Sequence, residues 1–75
     1  MTQKEIKKLK ARIQEGFKYI ARDETGDIYT YEKIPNKSLY GEWKDGGKLQ
    51  CIGNYKFLPF IASNENPTLI SKLIK

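Results

Sequence analysis

Ile6, Leu9, Ile13 and Phe17 recur at spacings of three and four, the period of one face of an α-helix. Thr2 followed three residues later by Glu5 is a capping-box signature, and Gly16 is suited to ending the helix, so the pattern predicts a helix over residues 3 to 15. Ile6, Leu9 and Ile13 are then its buried stripe. Lys4, Lys8 and Arg12 stand four residues apart on another side and form a basic ridge.

From Phe17 the period changes to two. Residues 17–22 and 28–34 are rich in β-formers, and Asp23-Glu24-Thr25-Gly26-Asp27 between them has turn composition. With Gly26 in the left-handed position after a type I turn, Asp23 faces Asp27, Ala21 faces Tyr29 and Tyr19 faces Tyr31. That register gathers Phe17, Tyr19, Ala21, Tyr29 and Tyr31 on one face and Ile20, Ile28 and Thr30 on the other. Residues 34–38, with Pro35, read as a loop. Residues 39–44 and 48–52, joined by Asp45-Gly46-Gly47, read as a second hairpin that Gly53-Asn54 ends.

Phe57-Leu58-Pro59-Phe60-Ile61 is the most apolar segment. Pro59 argues against a central strand there, so it is expected to be a turn that plugs the core. For residues 67–75 two readings stand: Pro67 after Asn66 and the spacing of Leu69, Ile70, Leu73 and Ile74 favour a helix, while the shortness and position of the segment suit a final strand. The fold class is α+β, an N-terminal amphipathic helix packed on a small antiparallel sheet of two β-hairpins, with a short C-terminal helix or strand. Seventy-five residues leave room for one modest core, so residues 1–75 are expected to form a single small domain.

Fourteen Lys and Arg against nine Asp and Glu give a net charge of +5, which favours acidic partners as well as solubility. The one cysteine, Cys51, has no internal disulfide partner and lies in the run Leu49-Gln50-Cys51-Ile52, where a reduced thiol acts as a small hydrophobe and suits the cytoplasm. The basic stretch from Met1 to Lys10 is not followed by the apolar run of a signal peptide, and no segment has membrane-spanning length, so export and insertion are not expected.

Histidine is absent, which removes the commonest general acid-base group and the commonest metal ligand together. Neither a phosphate-cradling loop nor a dinucleotide fingerprint is present. Asp23, Glu24 and Asp27 form the tightest carboxylate group, but acids flanking a glycine are ordinary turn composition. The expectation is a binding protein, not an enzyme, with no cofactor and no metal.

Two surfaces are candidates for that binding. Tyr29, Tyr31, Tyr40 and Trp43 offer an aromatic face of the kind that forms interface hot spots. Lys4, Lys8 and Arg12 offer a ridge that tracks phosphates in nucleic acid or a nucleotide. Which sheet face the helix covers decides how much of the first surface is free. Packing on Ile20 and Ile28 exposes the tyrosines, packing on the tyrosines buries them, and the usual fate of aromatics in small domains favours burial.

Ile20-Ala21-Arg22-Asp23, Gly26, Tyr29-Thr30-Tyr31-Glu32, Pro35-Asn36-Lys37, Trp43, Phe57-Leu58-Pro59 and Pro67 together resemble a family of short phage and prophage proteins of Gram-positive bacteria. The likeness spans residues 17 to 70. Those proteins run from a helix into an IARD-x-x-G-x-x-Y-x-Y-E hairpin, a Trp strand, an LFP turn and a late proline. Here the turn reads Phe57-Leu58-Pro59, and the acidic, Trp-containing stretch that often follows is missing. The resemblance implies a phage or prophage origin and a host-directed inhibitor that acts in the host cytoplasm by occluding its target. Its partner would be a host protein or ribonucleoprotein complex, such as a defence nuclease of the CRISPR type or a host regulator, with no membrane involved. Nucleic-acid or nucleotide binding through the basic helix and aromatic face is the alternative.

Overall fold

The computed structural model describes residues 1–74. Helix α1 (Gln3–Gln14) starts at a complete capping box. The Glu5 backbone N–H donates to Thr2 Oγ1 at 3.1 Å, and the Thr2 N–H donates to Glu5 Oε1 at 2.8 Å. The helix closes in a Schellman arrangement, with Phe17 N–H on Arg12 O and Gly16 N–H on Ile13 O, both at 3.0 Å. This closure sets the next side chain, Phe17, into the core.

Strands β1 (Tyr19–Arg22) and β2 (Ile28–Tyr31) form the predicted hairpin in the predicted register, Tyr19 opposite Tyr31 and Ala21 opposite Tyr29. Gly26 has a φ of 98°, the left-handed turn position that a side chain resists. Strand β5 (Leu49–Gly53) pairs with the outer edge of β2, and β6 (Thr68–Leu69) with the outer edge of β1. The antiparallel sheet is therefore ordered β5-β2-β1-β6. Strands β3 (Asn36–Lys37) and β4 (Trp43–Lys44) make a separate two-stranded sheet. The short helix α2 (Ile70–Leu73) follows β6 directly, so the C-terminal segment is strand and then helix. Lys75, the end of that expected element, lies outside the described residues.

The second hairpin differs from expectation. Residues 43–44 do not pair with the strand that follows them. They turn back on residues 36–37, which were expected to be loop, while residues 49–53 join the first hairpin. Both outcomes follow from edges: β2 presents a full row of free backbone groups, and the Asp45-Gly46-Gly47 link lets the chain cross to reach it. Between the pairs Ile28–Gly53 and Tyr29–Cys51, strand β5 carries one extra residue, Ile52. Ile52 is buried, whereas Leu49 and Cys51 face solvent; the thiol read as a small hydrophobe is exposed.

The core lies on the Ile20–Ile28 side of the sheet. Leu9, Phe17, Ile20, Ile28, Ile52, Leu58, Ile61 and Ile70 form it, with Phe57, Leu73 and Ile74 at its margin. Phe17, which alternation assigned to the tyrosine face, belongs here because it precedes the strand and follows the helix closure. Of the expected stripe Leu9 alone is buried: Ile6 is half-buried and Ile13 is 38% exposed, since the core contact of α1 is centred on Leu9. Leu58 and Ile61 enter from the turn after β5, as the apolar composition of that segment predicts.

Arg22 holds that turn. Its side chain is buried on the core face, and its five N–H bonds meet five backbone carbonyls. Nε donates to Ile61 O at 2.7 Å, Nη1 to Gly26 O and to Asn54 O at 3.1 Å, and Nη2 to Phe57 O and to Leu58 O at 2.9 Å. Among the described residues the single ion pair is Arg12–Glu15, so the Arg22 charge is compensated by carbonyl dipoles. Burial shifts the guanidinium pKa downward, and Asp27 opposes the shift. From the other side Glu5 Oε2 accepts the Leu58 N–H at 2.8 Å, tying the helix start to the same turn.

Two outcomes test this arrangement. Arg22→Met leaves the Ile61, Gly26 and Phe57 carbonyls without a donor, while Asn54 O and Leu58 O keep the Phe57 and Ile61 N–H groups, and should cost at least about 3 kcal/mol in urea unfolding. Arg22→Lys, with three donors, should recover only part; a Met variant within about 0.5 kcal/mol of the parent would show that the turn is held by packing instead. The Glu5 carboxyl is held below its ordinary range, first by the Thr2 and Leu58 backbone N–H groups. Its contribution is therefore present above the ordinary glutamate value of about 4.3 and disappears as pH falls through the lower folded value. Glu5→Gln should cost about 1–2 kcal/mol at neutral pH, and the gap to the parent should close in acid. A gap that stays constant from pH 7 to pH 3 would contradict the ionic role.

Candidate functional site

The tyrosine face of the sheet is covered by the β3–β4 hairpin and the link that follows it. Gly46 rests on the Tyr31 ring so closely that a Cβ there would lie 2.5 Å from a ring carbon, which explains why the position has no side chain. Trp43 lies beside it, its Nε1–H donating to Arg22 O at 3.0 Å. The helix thus takes the isoleucine face and the second hairpin takes much of the other. Tyr31 is only 2% exposed and drops out of the aromatic surface it was expected to share. Tyr29 and Trp43 are half-buried, and Tyr40 is fully outside at 84% exposure.

Between the sheet and the hairpin a cleft of about 240 Å³ remains, lined by Asp23, Tyr29, Tyr31, Glu42, Trp43 and Leu49. The Tyr29 and Tyr31 rings meet at a tilt of 44° with centroids 6.4 Å apart. Asp23 Oδ1 is enclosed and has no hydrogen-bond partner among the described residues. Burial raises the Asp23 pKa, and the Glu42 and Asp27 carboxylates add to the rise; the Trp43 backbone and Lys37 oppose it. Burial likewise raises the phenols of Tyr29 and Tyr31. The cleft is therefore an acidic, aromatic hollow on a chain whose net charge is +5.

Above the cleft the hairpin ends in a bend fixed by Ser38. Its Oγ accepts the Tyr40 N–H at 3.3 Å and the Glu42 N–H at 3.2 Å, and its own N–H donates to Glu42 O at 2.7 Å. Polar groups hold the bend. Leu39, wholly exposed, and Tyr40 contribute nothing visible to the core and project from a fixed backbone.

The basic ridge divides. Lys4 and Lys8 line a groove of about 390 Å³ with Lys56, Asn54, Phe57 and the acid Glu5, and Lys8 Nζ lies 5.4 Å over the Phe57 ring. Arg12 leaves the ridge: Nη1 pairs with Glu15 at 3.1 Å, and Nη2 donates to Cys51 O at 3.3 Å across the sheet edge. Lys56 takes its place, a residue that helix spacing could not indicate. Asp23 and Glu42 were also missed as a pair, because nothing local relates two acids nineteen positions apart. Only the unusual neighbour of each, an arginine for Asp23 and a tryptophan for Glu42, hints that they matter.

Among the described residues no three His, Cys, Asp or Glu side chains are grouped to hold a metal ion, and no helix is long and apolar enough to cross a membrane. No protein-family model, curated protein or solved structure matches the chain.

An uncompensated carboxylate is a cost to the fold, and its sign is testable. Because the folded protein holds the Asp23 proton more tightly than the unfolded chain, the cost is absent in acid. It appears as pH rises from the ordinary aspartate value of about 3.9 through the raised folded value. Asp23→Asn should therefore melt at or above the parent temperature at pH 7 and match it in acid. A variant that melts well below the parent at neutral pH would make Asp23 a structural residue.

Proposed function

We propose that this chain is a non-enzymatic binding protein that docks on a protein partner through the hairpin tip and the cleft beneath it. The observation that carries the reading is Leu39 and Tyr40, an apolar pair standing wholly in solvent on a bend that polar groups hold in place. Adjacent exposed apolar side chains with no part in the core are free to be covered by a partner, and covering them removes their apolar area from water. A tyrosine presented on a fixed backbone also binds at low entropic cost. The phage-like pattern of residues 17–70 supports a host complex as that partner, a CRISPR-type nuclease or a regulator, occluded in the host cytoplasm.

The groove of Lys4, Lys8 and Lys56 over Phe57 favours a second reading, contact with the phosphates of a nucleic acid. In a ribonucleoprotein target both surfaces would be used. Charge reversal at the three lysines leaves the tip untouched, so the readings separate.

Immobilised protein should retain a stoichiometric complex from lysate of a Gram-positive host and inhibit that complex's activity. Leu39→Ser combined with Tyr40→Ser should weaken retention and inhibition by at least about thirtyfold, the loss of a hot spot. Lys4→Glu, Lys8→Glu and Lys56→Glu together should leave them largely intact. The reverse ranking, with retention that falls steeply as salt is added, would replace protein docking by nucleic-acid binding.

A further inference from the structure

We propose that the cleft between Asp23, Glu42 and Trp43 is a binding site for a guanidinium group, the side chain of an arginine on the docked protein. The source of the arginine rests on the docking reading above; the chemistry of the site does not. Two carboxylates line the cleft, and neither forms an ion pair within 4.0 Å among the described residues. Lys37 is the basic side chain that bears on Asp23, and it is engaged elsewhere. Its Nζ donates to Ser63 O at 2.6 Å and sits 5.1 Å over the Trp43 ring. It is not among the residues that line the hollow. Lys37 thus acts on Asp23 from outside the hollow, and no basic side chain lines the hollow itself.

The walls say which cation fits. Tyr29, Tyr31 and Trp43 line the cleft with the two acids, and Thr25 and Leu49 complete the lining. An ammonium is a compact, strongly hydrated point charge with no flat face to lay on a ring. A guanidinium is planar and weakly hydrated, lies flat on aromatic rings and offers a fork of donors to carboxylates. Arginine also supplies a three-carbon stem, apolar like Leu49 of the lining. Docking beside Leu39 and Tyr40 would place that arginine next to an apolar contact, the usual composition of an interface centre.

Trp43 is the chain's single tryptophan and lines the cleft, so its fluorescence reports occupancy without a label. Titration with N-acetyl-arginine-methylamide should give a saturable change with half-saturation on the order of millimolar, the range of one small polar ligand. The lysine analogue should bind more weakly, and the citrulline analogue, equal in shape and uncharged, should give no saturable change. Asp23→Asn and, independently, Glu42→Gln should each weaken arginine binding at least tenfold while the proteins remain folded. Arginine binding to the parent should also weaken as pH falls and Asp23, faced by Glu42, Asp27, Lys37 and the two phenols, takes up its proton. Asp23→Asn should flatten that profile.

An unresponsive Trp43, or citrulline matching arginine, would overturn the site and leave docking by the hairpin tip standing. Arginine binding that both carboxylate variants lose, with partner capture unchanged in those same variants, would overturn the assignment of the guanidinium to that partner.

Discussion

The constraint on which the rest of the structure depends is the full set of five hydrogen bonds from one buried guanidinium. A domain of this size has few elements to pack, and two of its core side chains, Leu58 and Ile61, come from an irregular turn with no ladder to hold it. Arg22 replaces the ladder. It gathers carbonyls from the β1–β2 turn and from residues 54–61 around one planar group whose donors point outward in fixed directions. Leu58 shows how firmly the turn is held. Its φ is 48°, a conformation that costs a side-chain-bearing residue about 1–3 kcal/mol. It persists because the N–H is taken by Glu5, the C=O by Arg22 and the side chain by the core. The helix start, the first hairpin and the plug are thereby joined through a single residue's backbone.

What was legible in the sequence was whatever depends on neighbours along the chain. The capping box, the helix period, the register of the first hairpin and the left-handed glycine in its turn are all local, and they stand in the structure as the residues predict. The pairing of residues 43–44 and 49–53 was not, because it is a competition between edges. A strand joined by a glycine link has no local reason to prefer its neighbour over the longer free edge of β2. The extra residue at Ile52 was hidden for the same reason, and with it went the facing of Cys51. Arg22 was legible as part of a pattern but not as a core residue, since no spacing rule relates an arginine to carbonyls more than thirty positions away.

The candidate site shows the same division. Tyr40 and Trp43 were visible as aromatics, yet their different fates follow from tertiary contacts: the Trp43 indole bonds the Arg22 carbonyl, while Tyr40 stands on a bend stiffened by Ser38. Tyr31 became the floor because Gly46 lies on it. The acids that give the hollow its sign lie one in the first hairpin and one in the second. The charge count of the whole chain pointed the other way. A net charge of +5 describes the surface seen from afar and governs encounter; it does not describe a local cleft lined by two carboxylates and no basic side chain.

Arg22 and Asp23 are adjacent, and the alternation of an extended chain sends successive side chains to opposite faces. One faces the core and donates to the plug; the next lines the cleft, with its Oδ1 left without a hydrogen-bond partner among the described residues. The Arg22 carbonyl between them accepts the Trp43 indole N–H, so the wall of the cleft hangs from the backbone of the residue that holds the core. A rigid support of this kind is what a small binding site needs, because each side chain that must be ordered on binding subtracts about 0.5–1.5 kcal/mol from affinity. The same adjacency divides two roles between neighbouring residues: Arg22 acts on the fold through its five carbonyl contacts, whereas Asp23 Oδ1 makes no hydrogen bond that holds the core and its side chain lines the cleft.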